Sequence, residues 1–302
     1  MADNDTGRGN STSQVPSGDV LDFKLYRYEP SLAAAIVCVA VFTLLTAHHA
    51  TLIYRKRTGY FIVFTIGGLF QAIGYCGRIW SHFDVLSIGG FVIQAILILI
   101  APALYAASIY MILGRLIRAL HATFLSVIPI DWLTKIFVAA DVVAFSLQAG
   151  GGGIQAAGTL KLFEIGEKII ITGLFVQICF FGFFMFTSIL FHRRILRHPT
   201  LVSQDGTVQW RRHLFVLYTV SAIILIRSIF RVVEYLQGNH GYLISHEIFL
   251  YMFDSLLMAI VMLIFSIFYI GDLNPVDARR KNISSGQDYI MNDVSYGSTE
   301  SS

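Results

Sequence analysis

The sequence predicts an all-α polytopic membrane protein: a seven-transmembrane helix bundle with its N-terminus outside and its C-terminus in the cytoplasm. Three observations predict it. Of the 302 residues, 55% are hydrophobic and only 14% are charged, against about 25% charged in an ordinary soluble domain. The apolar residues fall in long runs, and seven of these, about 31–54, 59–80, 85–113, 133–157, 168–191, 214–236 and 247–270, reach the roughly 20 residues that one helix needs to cross a bilayer core. The third observation is the placement of Lys and Arg between the runs.

Residues 1–30 are rich in Asp, Asn, Ser and Gly, with neither the basic n-region nor the short apolar h-region of a cleaved signal peptide, and they read as a disordered extracellular tail. Basic residues follow alternate runs: Arg55, Lys56 and Arg57 after the first, Arg115 and Arg118 after the third, five arginines from Arg193 to Arg212 after the fifth, and Arg279, Arg280 and Lys281 after the seventh. Such loops face the cytoplasm. The loop Ser81 to Asp84 and the loop Gly238 to Ser245 carry no Lys or Arg, which leaves the N-terminus outside. Asn4 and Asn10, each opening an Asn-x-Thr triplet, are then glycosylation acceptors, whereas Asn282 would lie in the cytoplasm and stay bare. The membrane domain is expected to span 31–272, and 273–302, Gly- and Ser-rich, reads as a disordered cytoplasmic tail. The formal charge of +3 argues for no nucleic-acid partner. Cys38, Cys76 and Cys179 all sit inside apolar runs without metal-ligand spacing, so neither a disulfide framework nor a zinc site is expected.

An ionisable side chain at the centre of a span costs roughly 3 kcal/mol unless it is paired or wetted, so the few present here carry the functional signal. On span 6, Arg227, Arg231 and Glu234 are spaced i, i+4, i+7 with Tyr235 beside them; Glu247, Tyr251 and Asp254 repeat the spacing on span 7. That spacing puts each set on one helical stripe, and charge-assisted pairing of Arg231 and Glu234 with Glu247 or Asp254 across the seam is expected. Span 2 adds Gln71, Tyr75 and Arg78 at the same spacing, span 3 adds Gln94 and span 4 Gln148. All gather toward the outer end of the bundle. Two readings stay open: a structural ion-pair network, or a ligand pocket open to the outer leaflet.

Nearer the cytoplasmic side, Asp141 on span 4 has no partner on its own helix. It is expected to pair with Arg115 or Lys135, or to act as a gate or proton-linked residue. Four consecutive glycines follow at 150–153, each costing about 1 kcal/mol of helix propensity relative to Ala. Gly150 and Gly151 thus mark either a close helix contact or an opening of the helix onto a cavity, and the opening is the favoured expectation. Pro102 on span 3 should kink its helix and free the carbonyl of Val92 or a neighbour. His48 and His49 read as interfacial residues at the cytoplasmic end of span 1. Gly67, Gly68, Gly74 and Gly77 offer small surfaces for close packing.

Several ordered stretches resemble the fungal RTA-like proteins, also called the lipid-translocating exporter family: Gln94 to Arg115, Asp141 to Gly152, Gly173 to Phe184, and Arg227 to Gly238 followed by Glu247, Tyr251 and Asp254. The resemblance covers about residues 30–272. It implies a seven-span membrane protein tied to export or flipping of lipids, sphingoid bases and sterol-like toxins and, in some members, to porphyrin handling, with the plasma membrane as its expected location and no cofactor. The family usually carries an acid in the span 2 motif where this chain has Gln71, before Gly74-Tyr75 and Arg78, and many members end span 7 with His-Pro-Gly where this chain has Ile270-Gly271-Asp272.

In the transporter reading, Arg78, Arg227 and Arg231 would hold anionic groups, and Glu234, Glu247 and Asp254 an amine. A seven-span lipid-sensing receptor is the alternative. Gly114-Arg115-Leu116 stands where a receptor would have an acid-Arg-aromatic triplet, and no Asn-Pro-x-x-Tyr closes span 7. An intramembrane hydrolase lacks both a His-rich metal set and a serine nucleophile elbow. No GxxxxGK[ST] loop is present either, so active transport would draw on a proton or lipid gradient.

Overall fold

In the computed structural model, the described residues are 31–83, 88–155, 160–204, 209–237 and 247–270. The tails, with Asn4 and Asn10, and the loop containing His240 and His246 lie outside them. Seven long helices account for most of the described chain: α1 (Leu32–Lys56), α2 (Ile62–Phe83), α3 (Ile88–Ala119), α4 (Ile130–Gln155), α5 (Leu160–Arg197), α6 (Trp210–Leu236) and α7 (Glu247–Ile267). Six of these are long and apolar enough to cross a bilayer by length and composition. The remaining one, α4, is 26 residues long, about 39 Å at 1.5 Å per residue, and completes the bundle.

The contacts fix the topology. Gly77 of α2 meets Gly90 and Gln94 of α3 while Gly67 meets Tyr105, and Gly151 of α4 meets Gly166 of α5 while Gly173 meets Ala144. Residue numbers rise on one helix as they fall on the next, so neighbours in sequence run antiparallel. By the same test α1 and α7 are parallel, joined at Ser31–Glu247, Cys38–Ser255 and His49–Met262. The helix ends carrying Arg55, Arg118 and Arg193 therefore share one end of the bundle, called here the basic end.

Helices α3 and α5 outrun the apolar stretches expected of them, because polar residues such as Arg115, Arg118, Lys161 and Glu164 extend the helix into the headgroup zone rather than ending it. Ser31 caps α1 by accepting from the Ala34 N–H at 3.4 Å. Large apolar side chains such as Leu44, Phe186, Phe215 and Ile267 are exposed around the outside, as a lipid-facing surface requires.

The core divides by depth. Toward the basic end it is aromatic: Phe61, Phe64 and Phe265 meet edge to face at 5.1–5.9 Å, and Tyr110 and Phe137 pack on Phe184 at 4.6 and 5.3 Å. His49 is buried here. Its ring bonds the Met262 carbonyl at 3.0 Å and meets Phe64 edge-on at 5.0 Å, so it is a core residue, not the interfacial one expected, while His48 is exposed. The span 2 glycines are consumed inside the bundle: Gly67, Gly74 and Gly77 face α3 and Gly68 faces Met262 of α7. Toward the other end the core is polar.

Candidate functional site

Glu247 opens α7, where the positive end of the helix dipole favours an anion. Its carboxylate takes three hydrogen bonds from two donors, the backbone N–H of Ser31 at the start of α1, shared between both oxygens at 2.9 and 3.1 Å, and Arg78 Nη2 of α2 at 2.6 Å. Arg78, 1% exposed, also donates from Nε to the Tyr251 hydroxyl at 3.0 Å, with its guanidinium 5.3 Å from the Tyr251 ring centre. One carboxylate thus ties α1, α2 and α7 together at the polar end.

About two turns deeper, Arg227 of α6 pairs with Asp254 of α7, and both side chains are buried. Asp254 lies in a π-helical turn, Tyr251–Leu256, a widened form of helix that recurs at functional sites. Asp254 there faces α6, and the adjacent Ser255 faces α1, its hydroxyl 3.0 Å from Cys38 Sγ. Arg227 Nη2 also donates to the carbonyl of Ile98 on α3 at 3.4 Å. Pro102 explains why that carbonyl is available: having no N–H, it cannot bond the carbonyl four residues back. The freed carbonyl is therefore that of Ile98, not of Val92, and α3 continues through the proline from Ile88 to Ala119.

Between the two ion pairs sits Tyr75, stacked between Phe42 at 5.7 Å and Tyr251 at 6.1 Å. Its hydroxyl is buried, and no described residue lies within hydrogen-bond distance of it in good geometry. Gln71, one turn along α2, is fully buried, and among the described residues neither end of its amide has a partner; Asp254 Oδ2 is likewise buried and unpaired there. Three polar side chains in one half of the bundle therefore keep donor or acceptor capacity to spare, each at a desolvation cost of about 1–3 kcal/mol.

The rest of the polar set lies apart. Arg231 does not cross to α7: it bonds Glu234 on its own helix at 2.8 Å and lies 5.9 Å from the Tyr235 ring centre. The expected coupling of Arg231 and Glu234 to Glu247 or Asp254 is thus replaced by Arg78–Glu247 and Arg227–Asp254. An i, i+3 partner was within reach without a second helix, and Arg78 of α2 pairs with Glu247 at 2.6 Å. Gln148 of α4 donates to Gln177 of α5 at 3.2 Å. Gln94 is buried, its backbone against Gly77.

Asp141 has neither expected partner. It accepts from the Tyr110 hydroxyl at 3.0 Å, while Arg115 stacks over Tyr60 at 4.4 Å and Lys135 over Trp132 at 5.5 Å. An aromatic face nearer the headgroup zone holds each cation with less desolvation than a buried carboxylate would. The glycine run does not open either. Helix α4 runs unbroken to Gln155, and Gly151 gives α5 its approach, for a Cβ there would stand 2.7 Å from the Gly166 carbonyl oxygen, whereas Gly150, Gly152 and Gly153 have nothing within 4 Å.

Sequence reasoning missed Ser31, Cys38, Tyr110, Gln177 and Ser255. Of these, only Ser255, beside Asp254, and Gln177, within a span, carried a readable signal.

The family model described as RTA1 like protein matches residues 64–276. The chain belongs to this family. It is 37% identical over 281 residues to protoporphyrin uptake protein 1 of Saccharomyces cerevisiae, covering 81% of this chain and 91% of that protein. It is 36% identical over 269 residues to protein RTA1 of the same yeast, covering 80% and 84%. With the yeast sphingoid long-chain base transporter RSB1 it shares 27% identity over 278 residues, covering 80% and 72%. No solved structure matches the chain. Every residue of both ion pairs, Arg78, Arg227, Glu247 and Asp254, lies inside the family match.

Proposed function

We propose that this RTA1-like protein is a membrane transporter of amphiphilic lipids, whose substrate headgroup follows the polar seam of α2, α6 and α7 while its tails remain in the bilayer. One observation carries the reading. Next to a buried and a half-buried Arg–carboxylate pair, Gln71, Tyr75 and Asp254 hold buried polar atoms that no described residue satisfies. A purely structural network gains most when every member is bonded. Spare donors and acceptors beside both signs of charge suit a zwitterionic or amine-bearing headgroup: Arg78 and Arg227 face anionic groups, Glu247 and Asp254 an amine. The names of two relatives, one for sphingoid bases and one for protoporphyrin, support amphiphiles as the substrate class.

The positive-inside rule supports a cytoplasmic basic end, with the polar seam opening toward the outer leaflet of the plasma membrane and Asn4 and Asn10 on the glycosylated side. Protease protection of terminal tags and enzymatic deglycosylation test this orientation; a glycan on Asn282 overturns it.

The test of function compares wild type with Glu247→Gln and Asp254→Asn, matched for surface expression, in cell growth on a sphingoid base and in liposomes scored for movement of a labelled sphingoid base. The expected result is tolerance and lipid movement with the wild type and loss of both in the variants. Wild-type rates in both variants remove the seam from the mechanism. No movement by the wild-type protein overturns transport in favour of lipid sensing.

A further inference from the structure

The basic end carries a feature that transport through the polar seam does not use. A groove of about 700 Å³ opens between the end of α5 and the residues just after it, with Leu196 and Pro199, and the first turn of α6, with Trp210, Arg211 and Arg212. Its depth follows from length. Helix α5 has 38 residues, about 57 Å at 1.5 Å per residue, nearly twice a hydrocarbon core of about 30 Å. Its polar last turn, from His192 to Arg197, therefore stands at headgroup level, where tryptophans such as Trp210 concentrate.

The groove has two unlike walls. Leu196 is 51% exposed and, with Pro199, offers an apolar surface. Opposite, Arg211 lies 5.3 Å from the Trp210 ring centre, and Arg212 lies 5.1 Å from that of Phe268 while donating to Gln209 Oε1 at 3.2 Å. Neither arginine forms an ion pair among the described residues, and no described Asp or Glu lines the groove. Aromatic faces orient both guanidiniums, and no described carboxylate neutralises them. Trp210 is itself held by its indole N–H on the Ser203 carbonyl at 3.1 Å. Planar guanidinium pairs match phosphate oxygens, and an apolar wall at this depth matches the start of an acyl chain.

We propose that this groove binds one anionic phospholipid of the adjoining leaflet, its phosphate on Arg211 and Arg212 and its first methylenes along Leu196 and Pro199. The proposal is independent of the transport reading, since it concerns the opposite end of the bundle and a bound lipid, not a moving one.

The full-length protein, purified in a neutral detergent, is titrated with dioleoyl phosphatidylserine and dioleoyl phosphatidylcholine, with lipid binding read by native mass spectrometry and by the shift in melting temperature. Phosphatidylserine should bind more tightly than phosphatidylcholine. Arg211→Gln with Arg212→Gln should weaken it by about fivefold per arginine, the worth of one cation at an anionic surface. Gln204→Glu with Gln209→Glu, at two exposed positions that leave the core untouched, should weaken it comparably. Arg55→Gln with Lys56→Gln, which removes two exposed charges from the same end but outside the groove, should leave it unchanged. Equal binding of both lipids by wild type, or equal loss in the Arg55/Lys56 variant, overturns the site in favour of diffuse charge. Binding of glycerophosphoserine or inorganic phosphate as tight as that of the lipid overturns the lipid as the occupant.

Discussion

Arg227 of α6 donates to the carbonyl of Ile98 on α3, the carbonyl that Pro102 leaves without a helical partner. A helix defect on one element is thus completed by a buried cation from another, which at the same time neutralises Asp254 on a third. Restoring the missing N–H with Pro102→Ala would return Ile98 to its own helix and take an acceptor from Arg227. The cost of Arg227→Lys should therefore be smaller in the Pro102→Ala background, with a coupling of about 0.5–1.5 kcal/mol, the range of an ordinary net hydrogen bond. Denaturation in detergent of the two single variants and the double variant measures it. Additive costs would mean that this contact carries no energy.

The Arg78–Glu247 pair should be coupled and the Arg231–Glu247 combination should not. Removing one partner of a buried pair leaves a bare charge and costs about 3–5 kcal/mol. Arg78→Ala or Glu247→Gln alone should then destabilise strongly, and the double variant by less than the sum of the two. Arg231→Ala and Glu247→Gln, acting on separate pairs, should add to within about 0.5 kcal/mol. Thermal unfolding of both sets of variants decides; coupling confined to Arg231 and Glu247 would restore the partnership expected from helical spacing.

The bundle was legible in the sequence because hydropathy depends only on local composition, and every span expected has its helix. The polar residues were legible for a similar reason: burying Arg78, Arg227 or Asp254 in a span is costly enough to mark them individually. Their partners were not. Helical spacing places Arg231 and Glu234 on one stripe but cannot say which neighbouring helix that stripe meets, and the π turn that seats Asp254 leaves no mark in residue type. Backbone partners such as the Ser31 N–H and the Ile98 carbonyl are invisible by nature, since every residue carries the same groups. The expected pairing of Asp141 with Arg115 or Lys135 failed because it counted only charged partners, whereas the buried Tyr110 could donate without a second desolvated charge.

Gln71 separates a structural role from a functional one. Both ends of its amide are buried without partners, so replacing it by the similarly shaped Leu removes an unsatisfied group and should leave stability unchanged or raise it by about 1 kcal/mol. If its amide contacts the headgroup, the same Gln71→Leu variant should lose lipid movement in liposomes while staying at least as stable as wild type. A variant that is both stable and fully active would strike Gln71 from the site. A variant that unfolds would show that the amide is bonded within the protein.

The glycine run tests whether helix α4 acts by packing or by opening. A Cβ on Gly151 would meet the Gly166 carbonyl oxygen at 2.7 Å and Ile170 Cγ1 at 2.8 Å, mostly backbone and a buried branch that cannot step aside, while Gly152 and Gly153 face open space. Gly151→Ala should push α4 off α5 and cost about 1–3 kcal/mol, the range for overpacked interiors. Gly152→Ala and Gly153→Ala should instead stabilise, by up to about 1 kcal/mol each from helix propensity alone. Melting temperatures of the three purified variants separate the cases, and the liposome assay adds the functional arm. If the run works as a contact, the two outer alanines leave transport intact and only Gly151→Ala impairs it, in step with its lost stability. If the helix must unwind here during a transport cycle, Gly152→Ala and Gly153→Ala would slow lipid movement despite their higher melting temperatures, because they stabilise the closed helix against the state that has to form.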